Sequence, residues 1–196
     1  VQKEKELLKA FPYKEGYSLY IGIPFCPSTC LYCSFTSYSI DQFENIVQDY
    51  LEALLTELDF VAKTYAHKEL QTMYIGGGTP TSLKEEDLEY LLYEVNKRFP
   101  FSKIQEITVE AGRPDSLNFE KLKILKKYGV TRISINPQSM NDKTLKLIGR
   151  NHFAQDIKEK FNLARQAGIE NSGSYWKTPH HRSGGGSIFY GQGNGI

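Results

Sequence analysis

Short runs of aromatic and β-branched residues alternate along the chain with longer stretches in which apolar side chains recur every three or four positions. Runs of the first kind at 17–23, 70–75, 104–110 and 131–135 predict strands, because ring-bearing and β-branched side chains suit a pleated surface. The stretches between them predict amphipathic helices. Phe43, Val47, Tyr50, Leu51, Leu54, Leu58, Val61 and Tyr65 fall on one stripe, and Leu88, Leu91, Leu92, Val95 and Phe99 on a second. A third helix carries Leu122, Leu125 and Tyr128, and a fourth Ile157, Phe161 and Ala164. Gly129 and Gly168 stand where a left-handed residue ends a helix. Asp41 with Glu44, and Ser82 with Glu85, have the spacing of capping boxes. The rings of Tyr65, Phe99 and Phe161 are expected in the core.

Strict alternation of strand and helix predicts an α/β fold with a parallel sheet and right-handed crossovers. A barrel and a doubly wound sheet both satisfy that pattern. The alternation runs from 17 to about 171. Residues 1–10, which begin at Val1, read as the end of a charged helix, so 1–16 are expected to close an upstream region or form a linker. The stretch 172–196 is rich in Gly and Ser and holds no Asp, Glu, Leu or Val. It predicts a disordered or out-of-frame tail where a fifth strand would otherwise start near Ile169.

A hydrophobic fraction of 40% is ordinary for a globular protein, and a formal net charge of +1 provides no overall basic field. Neither nucleic acid nor a membrane is therefore expected as a partner, and no apolar run approaches the roughly 18 residues that span a bilayer. The chain has only three cysteines, Cys26, Cys30 and Cys33. An odd, tightly grouped set is not the pattern of a secreted disulfide framework and predicts a reducing, cytoplasmic compartment.

These cysteines carry the strongest chemical signal. Their spacing, C-x3-C-x2-C directly after a strand, can give thiolates to three corners of a cubane cluster and leave one iron open to a small molecule. A three-cysteine zinc site, which needs a fourth ligand, and unpaired core cysteines are the alternatives. Gly76-Gly77-Gly78-Thr79-Pro80 follows the second strand; it lets backbone approach a ligand closely, or is merely a turn before a helix. It lacks the Gly-Lys-Ser/Thr ending of a phosphate-binding loop. Glu110 ends the third strand and Gln138 follows the fourth. All four features lie after the carboxyl ends of successive strands, the rim where α/β folds place their active sites. His67, His152, His180 and His181 have no ligand spacing tied to the cysteines and read as surface residues.

Tyr20-Ile21-Gly22-Ile23-Pro24-Phe25-Cys26, the triplet itself, and the runs GGGTPT, VEAGRPDSL, ISINPQSM and LKLIGRNH together resemble the oxygen-independent coproporphyrinogen III oxidase family of radical S-adenosylmethionine (SAM) proteins. Within it, Ser34-Phe35-Thr36-Ser37-Tyr38 after the triplet is similar to the HemZ-type coproporphyrinogen dehydrogenases. The resemblance covers about 17–171. It implies a partial (β/α) barrel truncated after about four βα units, with a [4Fe–4S] cluster on Cys26, Cys30 and Cys33 and SAM as second cofactor. It further implies reductive cleavage of SAM to a 5′-deoxyadenosyl radical that abstracts hydrogen from the propionate side chains of coproporphyrinogen III, with decarboxylation to protoporphyrinogen IX in haem biosynthesis. An electron-donor protein and a porphyrinogen are the implied partners.

Carried over by motif, Tyr20 and Tyr32 lie beside the cofactors, Gly77, Gly78 and Thr79 are the glycine-rich contacts, and Glu110, Gln138 and Arg150 are polar SAM-binding positions. The aspartate expected in an Asn-x-Asp context on the family's fifth strand is absent, since Asn171 is followed by Ser172 and Gly173. That departure predicts a chain inactive by itself. A haem-binding chaperone of the same family is the alternative function.

Overall fold

The alternation in the first strand sorts side chains onto two faces. In the computed structural model, which describes residues 15–169 and 171–173, strand β1 (Gly16–Ile23) buries Ile21 and Ile23 on one side and leaves Tyr20 exposed on the other. Met73 and Ile75 of β4 (Glu69–Gly77), Ile107 and Val109 of β5 (Glu106–Glu110) and Ile133 of β6 (Arg132–Ser134) continue the buried row. Between β1 and β4 the chain makes a small parallel pair, β2 (Phe25–Cys26) with β3 (Tyr38–Ser39), which holds the first cysteine.

Helices cover the apolar face. After a single turn, α1 (Ile40–Phe43), helix α2 (Val47–Thr64) contributes Val47, Leu51, Leu54, Leu55 and Leu58. Helix α3 (Glu85–Arg98) contributes Leu88, Leu91, Leu92 and Val95, and α4 (Phe119–Lys127) contributes Leu122 and Leu125. The short α5 (Asp142–Leu147) and then α6 (Ala154–Gln166) follow β6. These side chains form one core with the strands. Each fully buried Leu or Ile contributes on the order of 1.5–3 kcal/mol. Gly129 and Gly168 end α4 and α6 at φ 74° and 81°, as their positions predict. Among the described residues no helix is long and apolar enough to cross a membrane.

With a last short strand, β7 (Asn171–Gly173), the main sheet has the order β1-β4-β5-β6-β7, all parallel. Each new strand adds beside the previous one, with no reversal of direction across the sheet. A doubly wound sheet needs such a reversal, whereas an arc of a (β/α) barrel does not. The alternative left open by periodicity is thereby decided: four βα units are followed by a fifth strand.

That fifth strand is a correction. Asn171–Gly173, β7, pairs in parallel with β6, Asn171 beside Arg132 and Gly173 beside Ser134. Its Asn-Ser-Gly sequence has no strand propensity; the open edge of β6 supplies the pairing. The rest of the stretch read as a tail, together with His180, His181 and residues 1–14, lies outside the described residues.

Two capping boxes are corrected as well. Asp41 lies inside the one-turn α1, whose N-cap Ser39 makes no side-chain bond. Ser82 turns inward, its hydroxyl donating to the carbonyls of Thr79 (2.6 Å) and Phe25 (3.1 Å), so α3 begins only after Lys84. Real caps form elsewhere: Asn118 and Asn141 accept backbone N–H groups of α4 and α5, and Asp156 accepts from the Phe153 N–H. Of the three rings expected in the core, Phe99 is buried and Phe161 packs against it. Tyr65 is instead 39% exposed and stacks on Tyr17 at 5.0 Å, because it is the C-cap of α2, beyond the last full turn.

Candidate functional site

The carboxyl ends of β1, β4, β5 and β6 open onto a cavity of about 190 Å³. Its wall includes Tyr20, Cys26, Cys30, Tyr32, Cys33, Gly77, Gly78, Thr79, Glu110, Gln138 and Arg150, so every site residue read from the sequence reaches one place. Phe35, Gly112, Arg113 and Asn136 complete it. A larger cavity, about 330 Å³, lies at the amino ends of the strands around Tyr17 and Phe99 and shares none of these residues.

The cysteine loop is fixed from several sides. Cys26 sits on β2 and is buried, with its Sγ 3.4 Å from the Thr79 hydroxyl. Burial pushes this thiol up from its ordinary pKa, and the Thr79 hydrogen bond only partly offsets that. The Cys33 N–H donates to the Cys30 carbonyl at 3.1 Å, closing a tight turn. The Leu31 N–H donates to Ile148 at 3.4 Å, tying the loop to the turn that carries Arg150. All three cysteines are free thiols. Among the described residues no three His, Cys, Asp or Glu side chains gather around a single metal-ion position. Three thiols lining one cavity are the number of donors that a cubane with one open iron needs.

Above them lies a polar set. Glu110 accepts the Tyr74 hydroxyl at 2.5 Å and the Gly77 N–H at 3.2 Å, which holds its carboxylate over the glycine-rich loop. Gln138 has φ 62°, the one non-glycine positive φ among the described residues. A left-handed glutamine costs of order 1–3 kcal/mol, and such backbone strain concentrates at functional sites. Arg150 is buried; its Nη2 and Nε donate to the Tyr32 hydroxyl at 2.7 and 3.1 Å and its Nη1 to the Gly112 carbonyl at 3.3 Å. Two of its five N–H groups remain uncommitted, a fork suited to a carboxylate.

The glycines answer to the chain before any ligand. A Cβ on Gly78 would lie 2.6 Å from the Phe25 carbonyl oxygen, and one on Gly77, at φ 109°, 3.0 Å from that of Ile23. The Gly78 and Thr79 N–H groups donate to Ile23 and Phe25, both at 2.7 Å. The loop is thus pressed against the strand segment that delivers Cys26.

Two residues escaped the sequence reading. Arg113, 2% exposed, reaches across from the loop after β5 to the cysteine loop and pairs with Asp115 at 2.7 Å. Burial lowers its pKa, but Asp115 and the nearby thiols outweigh that and raise it overall. In the sequence Arg113 shows only as part of an Arg-x-Asp pair three residues beyond a strand-end Glu, with nothing to say that it meets the cysteines. His152, expected on the surface, is 3% exposed, and neither ring nitrogen makes a well-formed hydrogen bond, the Pro137 carbonyl being a polar neighbour that acts on the ring only weakly. It follows Arg150 by two residues and so is carried into the interior with it.

Burial, then the charge of Arg150, hold the His152 pKa below its ordinary value; the Pro137 carbonyl and Asp115 pull the other way and are weaker. The folded state therefore favours neutral imidazole, while the unfolded chain takes up a proton near pH 6.5. Stability is present above about pH 6.5 and falls as pH drops from there towards the lower folded-state pKa, by about 1.4 kcal/mol per unit of pKa difference. Urea unfolding across pH 5–8 should show this fall, and His152→Leu should remove it.

Residues 20–180 match the radical SAM superfamily. The chain is 46% identical over 161 residues to the oxygen-independent coproporphyrinogen-III oxidase-like protein HemZ of Bacillus subtilis, covering 81% of this chain and 32% of that one. It is also 46% identical over 156 residues to heme chaperone HemW of the same organism, covering 79% and 40%. The structure of Escherichia coli coproporphyrinogen III oxidase HemN, a radical SAM enzyme, matches with a TM-score of 0.73 at 26% identity, over 88% of this chain and 40% of that one. The chain thus spans 32–40% of the length of these relatives. Superfamily members use a [4Fe–4S] cluster and SAM. With three thiols and a set of polar contacts converging at the carboxyl ends of a parallel arc, and that match over most of its length, the chain belongs to the radical SAM superfamily, in its HemN-like group.

Proposed function

We propose that this chain is the cluster- and SAM-binding part of an oxidoreductase that decarboxylates coproporphyrinogen III to protoporphyrinogen IX. The observation that carries the reading is the convergence of Cys26, Cys30 and Cys33 with Glu110, Gln138 and Arg150 on one cavity. The three thiolates would hold the cluster. Glu110, fixed by Tyr74 and Gly77, would accept an ammonium or hydroxyl group of SAM. Arg150, steadied by Tyr32, would bind the carboxylate. When bound, the cluster and SAM together supply an electron and a hydrogen-abstracting carbon centre, chemistry that no side chain here provides. Two of the four propionates would become vinyl groups, each by losing one hydrogen atom, carbon dioxide and one electron, the last passing to an acceptor outside this chain. Three free thiols in one cavity suit a reducing compartment such as the cytoplasm.

Anaerobic reconstitution followed by chemical reduction should release methionine and 5′-deoxyadenosine from SAM. Glu110→Ala and Arg150→Ala should each weaken SAM binding about tenfold or more, as loss of a charge-assisted hydrogen bond costs roughly 1.5–3 kcal/mol. Equal SAM affinity in both variants and the parent would overturn these assignments. A second reading, haem transfer, is favoured by the 46% identity to a protein named heme chaperone HemW. Stoichiometric haem binding by absorption spectroscopy, with no carbon dioxide released from coproporphyrinogen, would select it.

A further inference from the structure

Of the three cysteines, Cys30 has a different electrostatic environment from its neighbours. The partner of Cys26 is the neutral hydroxyl of Thr79, and those of Cys33 are the Phe35 carbonyl and the Ser37 hydroxyl, at 3.8 and 3.7 Å. Cys30 faces the guanidinium of Arg113, whose Nη1 lies 3.3 Å from its Sγ.

That guanidinium cannot swing away. Its Nε donates to Asp115 Oδ1 at 3.0 Å and its Nη2 to Asp115 Oδ2 at 2.7 Å and to the Ser28 hydroxyl at 3.0 Å. Nη1 donates to the Ser28 carbonyl at 3.1 Å besides Cys30. These contacts use all five N–H groups of an arginine. Arg150, on the same cavity, keeps two in reserve. Arg113 therefore has no fork left for a substrate or SAM carboxylate, and its one unconventional acceptor is a sulfur that would ligate iron.

Hydrogen bonds to ligand sulfurs and nearby charge are among the factors that set the potential of an iron–sulfur cluster. A fixed cation beside one ligand favours the state with the extra electron. Resting on the reading that Cys26, Cys30 and Cys33 hold the cluster, we infer that Arg113 is a positioning residue that makes this cluster easier to reduce, with Asp115 holding it in place and moderating its charge. Its direct contact is at the Cys30 corner, and its charge reaches Cys26 as a weaker, longer-range effect.

The test is a redox titration of the reconstituted chain without SAM, followed by electron paramagnetic resonance. Arg113→Gln, which keeps a hydrogen-bond donor and loses the charge, should lower the midpoint potential. A tenfold change in the reduced-to-oxidised ratio, about 59 mV for one electron, is the expected size. Arg113→Lys, which keeps the charge, should shift it by less than half as much. Asp115→Asn, which removes the moderating carboxylate, should move it the opposite way. Opposite signs from the two sides of one ion pair are not what a purely structural contact produces. An unchanged potential in Arg113→Gln, equal shifts in the Gln and Lys variants, or a downward shift in Asp115→Asn would each overturn the inference. Should Arg113→Gln fail to fold, Asp115→Asn decides alone: an upward shift upholds the inference, and no shift or a downward one overturns it. A parent chain that takes up no four-iron cluster would overturn the cluster reading itself, a separate result.

Discussion

Cys30→Ala is expected to yield a folded chain that takes up almost no iron, against about four irons per parent chain, the number a cubane requires. Two thiolates remain, too few to hold three corners. Cys30 lies in a loop rather than in the core and is only half-buried, so the sheet and its helices lose little. Arg113 keeps four of its five contacts, on Ser28 and Asp115. Iron and sulfide analysis after anaerobic reconstitution, beside a thermal melt, separates the two effects. About four irons retained by the variant would mean that Cys30 is not a ligand. Parent protein carrying one zinc and no iron would point to the zinc alternative.

Gly78→Ala has the largest expected effect on the fold itself. The added methyl would sit 2.6 Å from the Phe25 carbonyl oxygen and 3.0 Å from that of Ile23, both backbone atoms that no rotamer change can move aside. Relief requires the glycine loop to separate from β1 and β2, which would sacrifice the two 2.7 Å hydrogen bonds from Gly78 and Thr79. Overpacking of this kind costs about 1–3 kcal/mol, and each lost hydrogen bond about 1 kcal/mol more. Since Phe25 adjoins Cys26 and Thr79 bonds the Cys26 thiol, cluster retention should fall with stability. Denaturant unfolding and iron content measured together check this; a variant as stable as the parent would show that the loop floats free of the strand.

The parts of this site legible in the sequence are those whose chemistry is local to a short segment. The C-x3-C-x2-C spacing, the glycine run and a polar residue after each strand need no knowledge of neighbours, because strand direction alone sends them to one rim. Arg113 and His152 were not legible, since their roles depend on what comes near them in space: Cys30 is 83 residues from Arg113 in the chain. Ser82 has the spacing of a cap, yet its hydroxyl finds better acceptors in Thr79 and Phe25. The Asn-Ser-Gly strand is the same case for backbone, an unfavourable sequence recruited by an open edge.

The links between loops at the site matter in a different way once the order of the strands is considered as an order of events. Because β1, β4, β5, β6 and β7 lie side by side in chain order, each can dock on an edge already made as the chain emerges during synthesis. The sheet is a structure of near neighbours. The site is not: Arg113 reaches back 83 residues to the cysteine loop, and the Arg150–Tyr32 pair spans 118 residues. Contacts of such separation form late, after the chain between them has been ordered. The cysteine loop is therefore synthesised well before the residues that close the cavity against it, and it gains its last contacts only when the turn carrying Arg150 is in place.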